Sequence, residues 1–168
     1  MVVQFENKYY ATDDMIKEYV NEVLCWKTKR MGLFFSAMSA VMLAVTLIGR
    51  DYIFTAVYGV CFFLTTVLSF LISPLTFRQL KENGQYMNNG KRCETVVRFG
   101  DCIMITEGTF SLTVEYAQIM EIYYLEHSCV LMFGKRNGIM LDPKGFGEQS
   151  FKDFQIFIEG RAKNRIRS

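Results

Sequence analysis

Apolar positions recur at different periods along the chain, and each change of period marks a boundary. Residues 2–10 (VVQFENKYY) have the aromatic and β-branched content of a short strand. Thr12 then stands as a helix N-cap, with Asp13 and Asp14 in the first turn complementing the helix dipole. Ile16, Tyr19, Val20, Val23 and Leu24 follow the i, i+3, i+4, i+7, i+8 spacing of an amphipathic helix, expected to run through Trp26 into the next segment. The apolar face of that helix has two uses open to it: packing on the folded domain that follows, or lying on a membrane surface.

Periodicity then disappears. Met31 to Gly49 contains no charge and, at 1.5 Å per residue, spans about 28 Å, close to the roughly 30 Å of a hydrocarbon core. Tyr52 to Phe77 is also uncharged and long enough to cross with some tilt. Two helices apolar on every side are more than the remaining residues of a soluble fold can cover. The expectation is therefore a transmembrane hairpin, with helices at 31–49 and 52–77 joined only by Arg50 and Asp51. Lys17, Lys27, Lys29 and Arg30 precede it, and Arg78, Lys81, Lys91 and Arg92 follow, against Arg50 alone in the turn. That bias puts both termini, including residues 1–30, on the cytoplasmic side of a multi-pass protein of the cell membrane. Trp26 and Tyr52 fall near opposite interfaces, where amphipathic rings are favoured. Pro74 is expected in the last turn of the second helix, where a break costs least. Ser36, Ala37, Ser39, Ala40 and Ala44 offer a small-residue face for close packing on the second helix, or on another copy in a homo-oligomer. No ionisable side chain lies inside either segment, which argues against a proton relay, an ion pathway or an intramembrane protease.

Residues 78–91 are polar, with Asn83-Gly84 and Asn89-Gly90 as turn signals, and read as a helical overhang and linker. From Arg92 the period becomes two. Cys93, Thr95, Val97 and Phe99 alternate with polar residues, and Cys102–Thr106 forms a second strand. Phe110, Leu112, Val114 and Tyr116 then share one face of a third. Residues 118–125 lie between strand and helical turn and are read as strand, while Asn137-Gly138 turns a hairpin between 129–133 and 139–141. Ser150 caps a last helix with the stripe Phe151, Phe154, Phe157 and Ile158. The predicted fold class is α+β: a two-helix transmembrane hairpin, then a small antiparallel β domain at 92–168. Six strands closed by a C-terminal amphipathic helix follow the pleckstrin-homology-like plan.

The run LDPKGFGEQSFKDFQIFIE, with Leu141, Pro143, Lys144, Phe146, Phe151 and Phe154, follows a hairpin and a strand series FGDCIMITEGTFSLTVEYAQIMEIYYLEHSCVLMF. In this order and pattern, over nearly the whole chain, the sequence resembles the YcxB-like family of small bacterial membrane proteins. The resemblance implies a pleckstrin-homology-like C-terminal domain and no particular activity.

Composition and charge add mainly exclusions. The chain of 168 residues is 51% apolar without counting glycine, above the usual 45–50% that includes it. A net charge of +2 does not reach the basic excess of a nucleic-acid-binding domain. Cys25, Cys61, Cys93, Cys102 and Cys129 form no C-x-x-C pair, and His127 is the single histidine, so no metal site or cofactor is expected. None of these cysteines has a context that lowers a thiol pKa, and no catalytic residue is assigned. His127 beside Glu126 reads as a surface turn, and Asp142-Pro143-Lys144-Gly145 as a strand end. The candidate contacts are cationic: Lys135 and Arg136 at a hairpin tip, Lys144, and the tail residues Arg161, Lys163, Arg165 and Arg167. They would face anionic lipid headgroups or a protein partner at about 1 kcal/mol per close charge, unless the tail is simply solvated. A membrane-tethered interaction module is the expected role, with a self-associating structural component as the alternative. An enzyme built on the Asp142–Lys144 turn is the third and weakest reading.

Overall fold

The computed structural model describes residues 3–87, 93–134, 137–147, 149–162 and 165–167. Two compact units divide the chain: residues 20–79, and a β domain assembled from residues 1–19 and 80–168. The N-terminal segment is thus no separate piece. Strand β1 (Phe5–Tyr9) pairs antiparallel with β2 (Thr95–Phe99), Phe5 opposite Phe99 and Tyr9 opposite Thr95. The apolar hairpin is an insertion between the first and second strands of one sheet.

That sheet runs β1-β2-β3-β4, with β3 at Ile103–Glu107 and β4 at Phe110–Val114. A 3₁₀ turn at Tyr116–Gln118, closed by reciprocal bonds between Glu115 and Gln118, leads to the second sheet. Tyr116 therefore leaves the strand in which alternation had put it, although its ring remains buried. The second sheet runs β7-β6-β5-β8, from β5 (Glu121–Tyr124), β6 (Cys129–Met132), β7 (Gly138–Leu141) and β8 (Arg165–Arg167). Six strands were expected between residues 93 and 141. The described residues hold eight, because β1 joins from the N-terminus and β8 from the tail.

Helix α4 (Phe151–Arg161) starts at Ser150, whose hydroxyl accepts from the Lys152 N–H, and its apolar stripe closes the core. Phe154 is fully buried, with its ring centroid 4.7 Å from Phe99, 4.5 Å from Phe146 and 5.7 Å from Phe5. Ile103, Ile122, Leu131, Leu141 and Ile158 fill the space around it. Each such side chain contributes about 1.5–3 kcal/mol by leaving water.

Helix α1 (Asp13–Glu18) is capped by Thr12 as expected, and its Met15 and the following Tyr19 are buried in the β domain. The helix does not continue straight into the apolar segment. A π-helical turn, Tyr19–Leu24, intervenes before α2 (Trp26–Ile48). One extra residue per turn shifts the helical phase by about 100°, so residues on either side need not share a face.

Residues 20–79 form the hairpin of α2 and the first part of α3 (Tyr52–Met87). Both helices are long and apolar enough to cross a membrane. Helix α3 runs well beyond Phe77, so Pro74 lies in its interior rather than its last turn, and the helical overhang expected within 78–91 extends to Met87. Arg50 (φ 55°) supplies the left-handed residue that ends α2, with the Asp51 N–H donating to Thr46 O at 3.1 Å and the Arg50 N–H to Leu47 O at 3.2 Å. The Asp51 carboxylate then accepts from the Phe54 N–H, so Arg50 stops α2 and the next residue starts α3.

The seam between the helices is polar and small. Ser36 and Thr66 share a hydroxyl bond of 2.7 Å, Gly32 faces Ser69, and Cys25 Sγ donates to Thr76 Oγ1 at 3.6 Å. Ser36, Ser69 and Ser73 are buried, whereas Ala37 and Ala44 of the expected small-residue face point outward. Apart from Val3, Tyr10, Phe110, Met120 and Ile156, every exposed large hydrophobic side chain among the described residues lies on these two helices.

Candidate functional site

The polar chemistry of the β domain gathers along the outer edge of β1, where the strand meets the turn after β7. In FENKY, Phe5 and Tyr9 point inward, and so does Asn7, which is fully buried. Asn7 Nδ2 donates to Asp142 O at 2.8 Å, and the Asp142 N–H donates to Asn7 Oδ1 at 3.3 Å. A side-chain amide thus stands in for a strand rung between β1 and β7. Beside it the Lys8 N–H donates to Gly145 O at 2.9 Å. A Cβ on Gly145 would lie 2.6 Å from Lys8 O, so the approach requires glycine. Gln149 completes the edge: its amide nitrogen donates to Gln4 O at 2.8 Å and its oxygen accepts from the Glu6 N–H at 3.4 Å.

A shallow groove of about 350 Å³ follows this edge, lined by Gln4, Phe5, Glu6, Lys8, Phe146 and Gln149 among others. Glu6 carries its charge there between Lys8 Nζ at 2.9 Å and Arg98 Nε at 2.8 Å. The hydrogen bonds from Lys8, and then from Arg98, hold its carboxyl below the usual range. Lys144 is exposed in the same turn, and its N–H donates to Asp142 Oδ1 at 2.8 Å, an Asx-type closure. Among the described residues, the groove offers exposed charges and backbone groups but no nucleophile paired with a base.

Arg161 is not a free tail cation. Its guanidinium donates to Gly100 O at 2.9 Å and to Gln4 Oε1 at 3.4 Å, and lies 5.1 Å from the Tyr116 ring centroid and 5.0 Å from that of Phe157. Tyr116 donates to the same Gly100 carbonyl at 3.0 Å, and burial pushes its phenol up to about 12. Arg165 and Arg167 belong to β8, which pairs in parallel with β5. Lys135, Arg136 and Lys163 lie outside the described residues. Of the candidate cations that are described, Lys144 and Arg161 make separate local contacts, and Arg165 and Arg167 belong to a strand.

His127 lies in the turn between β5 and β6, and that turn is clamped. The Glu18 carboxylate accepts from the Glu126 N–H at 2.8 Å, the His127 N–H at 3.1 Å and Ser128 Oγ at 3.0 Å. Nothing in the pattern of residues singles out Glu18, which ends a short helix; for Asn7 the available signal is a polar residue at an inward position of an alternating strand. Cys25 and Cys129 are buried, and burial pushes the Cys129 thiol up to about 12, away from reactivity. Among the described residues no three His, Cys, Asp or Glu side chains converge as a metal site would require.

Comparison of the chain with protein-family models, with curated proteins and with solved structures gave no match.

Proposed function

We propose that the protein is a membrane-anchored interaction module: its hairpin spans the cell membrane, and its β domain, held at the cytoplasmic face, binds rather than catalyses. The observation that carries this reading is the insertion of the hairpin between two paired strands. Because β1 lies before it and β2 after it, both ends of the hairpin must return to one side of any membrane it enters. Two spans meet that condition, and one does not. The outward apolar surface of α2 and α3 supports the membrane assignment, since a soluble protein does not leave so much contiguous apolar area in water. Basic residues flanking the hairpin support a cytoplasmic β domain. Two sheets closed by a C-terminal helix support the pleckstrin-homology-like reading, and with it the likeness to YcxB-like proteins. The self-associating alternative draws less support, because Ser36 of the small-residue face is already buried against Thr66 of α3 within the hairpin.

Topology mapping tests the proposal. In a chain with its own cysteines replaced, an impermeant thiol reagent is expected to label Tyr52→Cys from outside intact cells, and Ser168→Cys only after permeabilisation. Release of the protein from membranes by alkaline carbonate, or labelling of both positions from the same side, would remove it.

A further inference from the structure

Beside the hydroxyl seam, the hairpin leaves a groove of about 390 Å³ between α2 and α3. Thr28, Gly32 and Phe35 line it from α2, and Leu68, Leu71 and Leu75 from α3. Gly32 and the buried Ser69 meet at its floor, where a Cβ on residue 32 would collide with the serine hydroxyl. The other hydroxyls of its α3 wall are engaged within the helix: Thr65 Oγ1 donates to Cys61 O at 2.8 Å and Ser69 Oγ to Thr65 O at 2.6 Å. What stays open is apolar side chain, with Phe35, Leu68, Leu71 and Leu75 all exposed and Thr28 at one end.

On α3 the lining runs from Thr65 to Leu75, about 15 Å of helix, which is half of a hydrocarbon core of about 30 Å. It begins where the chain enters and leaves the hairpin. Thr28 stands between Lys27 and Lys29, and Leu75 stands three residues before Arg78. That end also carries Arg30, with Glu22 as its one acid within residues 20–79, whereas Arg50 and Asp51 cancel at the turn. An apolar groove one leaflet deep with a basic end has the dimensions and charge of a phospholipid site. A helix of a second copy would instead follow the hairpin over its whole length.

We infer that this groove binds an anionic phospholipid, its acyl chain lying between α2 and α3 and its headgroup at the basic end. The inference rests on the membrane-anchor reading and names a ligand for the anchor itself.

Tryptophan quenching by brominated lipids tests it in the full chain. Trp26 is the only tryptophan, so Trp26→Phe leaves room for a single reporter. Leu71→Trp lies in the groove, and Phe70→Trp, one residue away, is exposed to either side of it at nearly the same depth. Each chain is reconstituted into mixtures of phosphatidylglycerol and phosphatidylcholine, with one or the other brominated on its acyl chains. The preference for phosphatidylglycerol is expected to be at least fivefold greater at Leu71→Trp than at Phe70→Trp, the order of effect of one close basic side chain. Lys27→Gln together with Lys29→Gln is expected to lower that difference at least twofold. A smaller effect in either comparison overturns the proposal. Quenching of Phe70→Trp alone would show the groove covered by protein and also overturns it. If Leu71→Trp loses helicity, Phe35→Trp on the facing wall takes its place under the same requirement. Absence of quenching at both positions removes the membrane anchor itself, whereas intact quenching without the preference removes only the lipid site.

Discussion

Asn7 and Arg50 each hold a connection that no hydrophobic contact could make. Asn7 satisfies both the N–H and the carbonyl of Asp142 from a fully buried position, so replacing it with leucine keeps the volume and strands two backbone groups. At about 1–3 kcal/mol for each buried group left without a partner, Asn7→Leu should destabilise the β domain by about 2–6 kcal/mol. Amide exchange at β7 in the detergent-solubilised full chain checks this, and unchanged protection there would show that the rung carries no stability. Arg50 has the opposite balance. Its left-handed backbone costs a side-chain-bearing residue about 1–2 kcal/mol, which glycine does not incur. Arg50→Gly should therefore raise the stability of the hairpin by about 1 kcal/mol, read as a higher midpoint in a denaturing-detergent titration of helicity.

At the scale of elements, the hairpin and the β domain differ in what their sequences revealed. The period-two burial around Val97 and Ile105 and the phenylalanine stripe of α4 located those elements because burial on one face imposes the pattern directly. Beyond Phe77 there is no burial pattern to read. Gln79, Leu80, Lys81 and Glu82 are all good helix formers, and a helix already nucleated by the apolar segment extends through them and past the Asn83-Gly84 turn signal. The strand β8 was illegible for another reason: RIR is too short to show a period, and its partner β5 is remote in sequence and parallel. The site was legible only in part, since the cations could be counted but not their engagement, as Arg161 between two rings illustrates. The hydroxyl seam of α2 and α3 carries its own expectation. Hydrogen bonds between apolar helices average about 0.6 kcal/mol, so Ser36→Ala should change hairpin stability by less than about 1 kcal/mol. A much larger loss in the same titration would mean that the seam acts as a cooperative network.

For the whole molecule, the inserted hairpin makes the β domain dependent on two distant stretches of chain, and that dependence can be tested without a membrane. First, the pH response of the intact domain follows from its buried acids. Cys129 and Tyr116 are both pushed up to about 12 by burial, so each binds its proton more tightly folded than unfolded. Their stabilisation is fully present below about pH 9 and is lost as the pH rises toward 12, so the domain should melt at progressively lower temperature over that window. Cys129→Ala should flatten the slope; an unchanged slope would mean the thiol does not contribute to it. Second, β1 supplies Asn7 and covers the β2 edge, while Met15 and Tyr19 add buried surface from α1. Residues 92–168 alone lack all of these, leave the β2 edge and the Asp142 backbone unpaired, and should give the collapsed amide spectrum of an unfolded or aggregating chain. Residues 3–19 joined to 93–168 through a flexible linker of about 12 glycine and serine residues, with an r.m.s. span of roughly 19 Å, restore the missing strand. Tyr9 lies opposite Thr95 in the native register, so β1 and β2 are neighbours, and the linker has only to lead from the end of α1 back to the start of β2. The expected result is a soluble, monomeric domain with dispersed amide resonances and protected β1 amides. If 92–168 folds equally well without the N-terminal piece, β1 is an accessory strand, and the argument that it fixes both ends of the hairpin on one side of the membrane loses its basis.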